Sequence, residues 1–477
     1  AGGYGERIVT GLALNDHTLM LAGAVPSAAL ALLDHTPQLL TLGTLSSLQH
    51  LLDRTAAAGC AATPQWQQVQ GMLGWARWDF ALMRDAMQQA EAGYRAAGQP
   101  DRALQALAYQ SAALVAFGQA HEVPDRLLAH DRRGLALETH LMVLLARQWH
   151  AMDIGRLHDV GPLLDETMDL LETTTDPSLW YRAHTIPRLN GLPGTARALD
   201  RYTDGVLRLT ADQPSPLRAM AHTQRALRAL WRGQTDEAQE ALDTARADAR
   251  WLGHPPNVNG TLNLGLALLA AHRGDRAGAL GAARQLVDQH PPQRGPWSLA
   301  GNLFNAARVA AVFDDAAAFD GFLADLQALR GRVPAALDEL LLPLLGMQAA
   351  LRGRRGPALQ LLAAAVADEH RSDRLGLAVE IRLRLAAEQL ADDQDSAAVQ
   401  TLSPLVERVR THAGVGGLLM APTALRCLAR AATDHRLGDT LGPVVIGWAG
   451  LLPQPVGREV AAGPTAAAAA GPDNGLS

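Results

Sequence analysis

The chain contains no lysine: all 42 of its basic residues are arginine, which we read as the coding bias of a GC-rich bacterial genome. Without lysine the nucleotide-binding loop GxxxxGK[ST] cannot be written. Cysteine is nearly absent. Cys60 and Cys427 stand far apart, which excludes a disulfide framework and a four-cysteine zinc site and suits a reducing cytoplasm. Aromatic residues make up only 4% of the chain. There is no basic excess either: a net charge of −6 and a pI of about 6.2 argue against direct nucleic-acid binding. Long hydrophobic runs are missing. Of the uncharged stretches, His17–Leu33 is interrupted by Pro26 and Leu340–Leu351 is too short to cross ~30 Å of hydrocarbon. No membrane contact is expected. The first residues form no signal peptide, and a start without Met points to a fragment or a processed product.

Motifs of chemistry are equally scarce. The 16 histidines include no HExxH, and His140 and His150 are too far apart to share a helical turn. The glycines at 2, 3 and 5 and at 414, 416 and 417 lack the strand and helix that a phosphate cradle requires. Neither cysteine has the setting of a nucleophile. The expectation is therefore a chain with no catalytic residues, no metal and no cofactor, and not an enzyme.

What is present is helix. Hydrophobic residues reach 48%, and Ala, Leu, Arg, Gln and Glu dominate nearly every segment. Leu217–Trp231 and Glu237–Leu252 flank a GlyGlnThrAsp turn, and Thr261–His272 and Arg276–His290 flank ArgGlyAsp. Each pair reads as a helical hairpin, with Thr235 and Asp236 as N-caps in the first. Such turns recur at Asp79, Gly118, Asp153, Gly194, Gly233, Gly274, Asp314, Gly353, Asp393 and Asp434, spaced by 39, 35, 41, 39, 41, 40, 39, 40 and 41 residues. A further turn near Gly43 precedes them. Small residues echo the period: Ala226, Ala267 and Gly346 stand seven before a turn glycine, and Ala238, Ala279 and Ala358 five after it. Those positions let the two helices of a hairpin approach closely.

This spacing of small residues across a Gly turn resembles the tetratricopeptide repeat, lengthened from 34 residues to about 40. The expected fold is an all-α, right-handed superhelical solenoid of about eleven hairpins over residues 13–453. Residues 1–12 would be an N-terminal segment and 454–477 a flexible tail rich in Ala, Gly and Pro. The long repeat also resembles the solenoid of MalT-like, large LuxR-family bacterial regulators, across residues 10–450. In that family an ATPase module precedes the solenoid and a helix-turn-helix follows it. Neither has a counterpart in this chain.

The resemblance places the first helix of each hairpin on the concave face. Counting back from the turns, the polar or aromatic inward positions are Trp66, His140, Arg147, His150, Tyr181, His184, Arg188, Arg308 and Glu380. Arg147 and Arg188, one repeat apart, would grip an anionic or hydroxyl-rich ligand, with Tyr181 and the imidazoles beside them. Trp231, Trp251 and Trp297 read as helix-end or hairpin packing. The function implied is effector sensing for a MalT-like regulator, with a small molecule or peptide in the concave channel and the ATPase and helix-turn-helix domains as partners. The alternative is a stand-alone adaptor holding a protein or peptide. A tight pocket in a closed superhelix would favour the first, an open polar groove the second.

Overall fold

The computed structural model describes residues 25–182, 192, 194–211, 213–333, 337–368, 375–412 and 414–453. The expected N-terminal segment and tail, His184 and Arg188 lie outside them. Among the described residues the secondary structure is helical, with no strand. Eleven hairpins follow one another, from Val25–Thr41 with Leu45–Ala57 to Pro422–Thr433 with Gly438–Ala449. No helix is long and apolar enough to cross a membrane.

The turn ladder explains the array. Gly43, Trp78, Gly118, Gly155, Gly194, Gly233, Gly274, Asp314, Gly353, Asp393 and His435 all have φ between 51° and 82°. A left-handed residue ends a helix because it lets the next N–H turn back onto a free carbonyl. Asp79, Gln234, Asp275 and Arg354 make that bond to Gly74, Ala229, Ala270 and Ala349 at 2.8–2.9 Å. Three expected turns move. Asp79 is the N-cap of the next helix and accepts from the Leu82 N–H at 3.0 Å, so the left-handed residue is Trp78. Asp153 is still helical and the turn falls at Gly155, while Asp434 gives way to His435. Asp275 and Asp315 cap like Asp79, one residue past the left-handed position. Thr235 and Asp236 do not cap: Gln234 holds the N-cap position, with no side-chain bond.

The small-residue echo packs as expected. Ala226, Ala238, Ala267, Ala279 and Ala358 are fully buried. A Cβ at Gly346 would lie 2.9 Å from Leu362 Cδ2 and 3.2 Å from the Leu362 backbone N. The third hairpin is incomplete: after Pro100–Ala116 the second helix shrinks to Ala120–Glu122 and Asp125–Leu128.

The superhelix closes on itself. A Cβ at Gly43 would meet Pro216 at 3.1 Å, one at Gly295 would meet the Phe117 ring at 2.9 Å, and one at Gly233 would meet Val415 at 2.8 Å. These partners are 173, 178 and 182 residues apart in sequence. Every four to five repeats, then, the array returns over its own earlier turn. The short helix Val415–Leu419 seats against Trp231, where a Cβ at Gly416 would come within 2.7 Å of the indole. The concave face is thereby partly covered by the chain's own later repeats.

Candidate binding cavity

Closure leaves a cavity of about 260 Å³ on the superhelix axis. Its wall comes from the first helices, as the concave-face assignment implies. Six residues before the left-handed turn residue stand Trp149, Leu227, Leu268 and Arg308, and two before it stand Ala116, Trp231 and His272. Trp78, Phe80, Trp297 and Phe304 add further rings. The wall is therefore mostly aliphatic and aromatic, with a few polar groups set into it.

Those polar groups differ in how well they are satisfied. Arg308 is engaged: its Nε and Nη2 donate to Glu380 at 3.0 and 2.9 Å, and Nη2 also reaches the Gly376 carbonyl. Glu380 is fully buried and also 3.5 Å from Arg384, which donates to the Ala311 and Met420 carbonyls. Two guanidinium groups thus share one carboxylate behind the wall. His272 is 5% exposed, and its Nδ1 has no hydrogen-bond partner among the described residues. Burial, reinforced by Arg308, pulls its pKa down to about 4, so the ring is neutral at pH 7. Trp149 is 7% exposed, and its Nε1 likewise has no partner.

Arg294 stands at the mouth. Its Cζ lies 3.5 Å from the Trp78 ring centroid, across the closure. Its Nε is buried without a partner, and no carboxylate pairs with it among the described residues. Burial draws its pKa down to about 9, which still leaves it charged at neutral pH. Arg294 and Asn302 also line a second recess of about 420 Å³ with His254, Asn259, Asn263 and Gln289. There the Asn302 Nδ2 donates to His290 Nδ1 at 3.2 Å, so the His290 Nε2 carries the proton toward the Gly295 carbonyl, 3.2 Å away. Burial, then Arg294, lowers the His290 pKa to about 4 against the pull of that bond. An apolar chamber and a polar vestibule therefore share one unpaired cation.

Of the seven residues singled out from sequence that are described, only Arg308 lines the cavity. Glu380 is its buried partner. Trp66 donates its indole N–H to the Leu52 carbonyl and Thr55 hydroxyl, a packing role. Arg147 donates to the Leu127 and His130 carbonyls. Burial and Arg132 hold its pKa below the usual range. His140 sits 3.0 Å from Glu166. His150 is half-buried, with a pKa lowered by burial and Arg156. Tyr181 is buried. Trp231 and Trp297, expected to pack at helix ends, face the cavity, while Trp251 is 56% exposed. Part of the signal for the missed residues was in the sequence: a position two or six before the turn reaches the wall at Gly118, Gly155, Gly233, Gly274 and Asp314, once the turn at Gly155 is placed.

Among the described residues there is no group of three His, Cys, Asp or Glu that could hold a metal ion. No family model matches the chain, and no curated protein does. Among solved structures, a chain from the crystal structure of the APC/C hetero-tetramer Cut9-Hcn1 is similar at 14% identity and a TM-score of 0.38, covering 92% of this chain and 92% of that one. The assignment to large LuxR-family regulators finds no support in these comparisons.

Proposed function

We propose that this chain is a helical-repeat interaction module, an adaptor that presents a rigid curved scaffold to a partner protein. The observation that carries the reading is the way successive hairpins are tied together on the outside. Arg201 pairs with Asp169 and Glu172 at 2.8 and 2.7 Å, Arg232 with Asp200 at 2.6 Å, Arg273 with Asp236 at 2.9 Å, and Arg352 with Asp320. Exposed pairs of this kind add little stability. They do fix the angle between neighbours, and a fixed curvature is what a docking surface needs. Proximity labelling with the full chain in a bacterial host should name candidates, each then purified and tested by size exclusion and calorimetry. The reading expects one to form a stoichiometric complex that weakens on Trp251→Ala and tolerates Trp297→Ala inside the cavity. If no purified candidate binds while a small molecule raises the melting temperature, the adaptor reading fails.

A second reading has its own observation, the cavity. A chamber partly roofed by the chain's own later repeats suits a small effector better than a threaded peptide. On that reading the chain is the sensor of a larger regulator of the LuxR type, and an occupant would tighten the closure between Trp78 and Arg294. ATPase and helix-turn-helix domains would then read the change.

A further inference from the structure

The cavity holds more polar equipment than packing requires. Apolar voids left by imperfect packing are lined by carbon and stay dry. This one is lined by Trp149 and His272, residues more than nine-tenths buried, whose Nε1 and Nδ1 lie behind the wall without partners among the described residues. At its mouth is Arg294, a cation whose buried Nε has no partner and which pairs with no carboxylate among the described residues. Natural interiors satisfy such groups or use them.

A second feature points the same way. Trp78 sits at φ 56°, where seven of the eleven turn residues are glycine. A bulky side chain in that region is strained, and such strain persists where the surroundings demand it. Here it sets the indole under the Arg294 guanidinium and 6.2 Å from the Phe80 ring, on the cavity wall.

We infer that the cavity binds a small organic anion with a flat apolar body, the body held among Trp149, Trp231, Trp297 and Phe304 and the anionic group placed at Arg294. This names the ligand class for the cavity reading above and rests on it. A neutral sugar would need a densely polar wall, and Leu227, Leu230, Leu264 and Leu268 deny it one. A nucleotide would bring phosphate charge and a polar sugar to a mostly aliphatic and aromatic wall. A free inorganic anion would leave the aromatic wall uncovered. An aromatic carboxylate or sulfonate matches the rings and the Arg294 cation. The polar recess beyond Arg294 lets the charged group keep part of its hydration, which lowers the desolvation cost of binding.

The test uses the full chain and two dyes that fluoresce on burial: anilinonaphthalene sulfonate and its neutral parent, phenylnaphthylamine. Titration, with energy transfer from the cavity indoles as the readout, should show the sulfonate saturating one site about tenfold or more tighter than the neutral dye, the size of a charge-assisted hydrogen bond. Arg294→Gln should bring the two affinities together, and Arg294→Lys should keep most of the difference. Equal binding of both dyes to the unaltered chain would overturn the anion inference and leave the cavity reading standing. No saturable binding of either dye would overturn both. Sulfonate binding unchanged in a folded Arg294→Gln chain would place the site elsewhere and overturn the inference. Should Arg294→Gln fail to fold, the dye ratio in the unaltered chain, with Arg294→Lys, still decides.

Discussion

The helices Leu137–Asp153 and Pro296–Val312 begin from the same expectation and end differently. Each has an arginine six residues before the turn read from sequence, Arg147 before Asp153 and Arg308 before Asp314. Arg308 reaches the cavity wall; Arg147 does not. The turn of the first hairpin is at Gly155, two residues further on, so the position equivalent to Arg308 is Trp149, and Trp149 does line the cavity. Beside it the second helix of the preceding hairpin is cut short after Leu128, which leaves the Leu127 carbonyl with only a long 3.4 Å bond from the His130 N–H and the His130 carbonyl outside any helix. Arg147 takes up both, at 2.7 Å each through Nη2. A repeat period thus tells which positions face inward, but a shift of two residues in a turn, or a missing helix next door, decides what an inward-facing side chain does.

The strongest way to break this comparison is at Glu380. Removing it leaves Arg308 and Arg384 buried without a counter-charge, a change that costs about 3–5 kcal/mol in other buried pairs. Glu380→Ala should therefore lower the unfolding midpoint in urea sharply, and adding Arg308→Met should recover part of the loss. If Glu380→Ala is tolerated within about 1 kcal/mol, the pair is not the wall support described here.

Acid gives the next largest effect. The His272 pKa is depressed to about 4 in the folded chain, against about 6.5 unfolded. Below pH 6.5 the unfolded chain binds a proton that the folded chain refuses, so stability is full above that pH and falls as pH drops toward 4. For His272 the loss comes to about 3 kcal/mol. His290, lowered to about 4 as well, adds to the same window. Denaturation curves at pH 7, 5.5 and 4 should show the slope, and His272→Asn should flatten it. A stability profile level from pH 7 to 4 would show both rings to be solvated.

Much of this was legible in the sequence because it repeats. The turn period and the small residues at hairpin crossings follow from side-chain volumes recurring every 40 or so residues, while the inward use of the first helices came from the resemblance to the tetratricopeptide repeat. What was not legible came from single exceptions. Trp78 occupies a position that is glycine in most hairpins, so Asp79, its neighbour, looked like the turn. Asp153 looked like a turn residue beside a glycine that was the real one. The pairing of Glu380 with Arg308 joins helices two repeats apart, and the closure of Trp78 on Arg294 joins residues more than 200 positions apart. Neither leaves a local pattern to read.

Arg147→Ala should cost about 1–3 kcal/mol, because it removes the bonds that Arg147 donates to two carbonyls. Hydrogen exchange should then quicken over residues 124–135, the segment it ties down. An unchanged exchange rate there would show the loop to be held by its own packing, with Leu127 as anchor.

The smallest effect on stability is expected at Arg294, and it sharpens the comparison most. Arg147 and Arg294 are both partly buried arginines without a carboxylate among their hydrogen bonds, yet they sit in opposite circumstances. Arg147 holds two backbone acceptors, one of them served otherwise only by a long backbone bond. Arg294 serves no acceptor through its Nε, and its favourable contact is the Trp78 ring, worth about 0.5–2 kcal/mol for a cation over an indole. Against that stands the cost of keeping a charge out of water, which Arg294→Gln removes. The two terms oppose each other and are of similar size, so the substitution should move stability by no more than about 1 kcal/mol in either direction. A group that the fold neither needs nor satisfies is one kept for something the fold does not contain. Thermal and urea denaturation of Arg147→Ala and Arg294→Gln side by side makes the measurement. Equal losses would mean that Arg294, too, is only a strut across the closure.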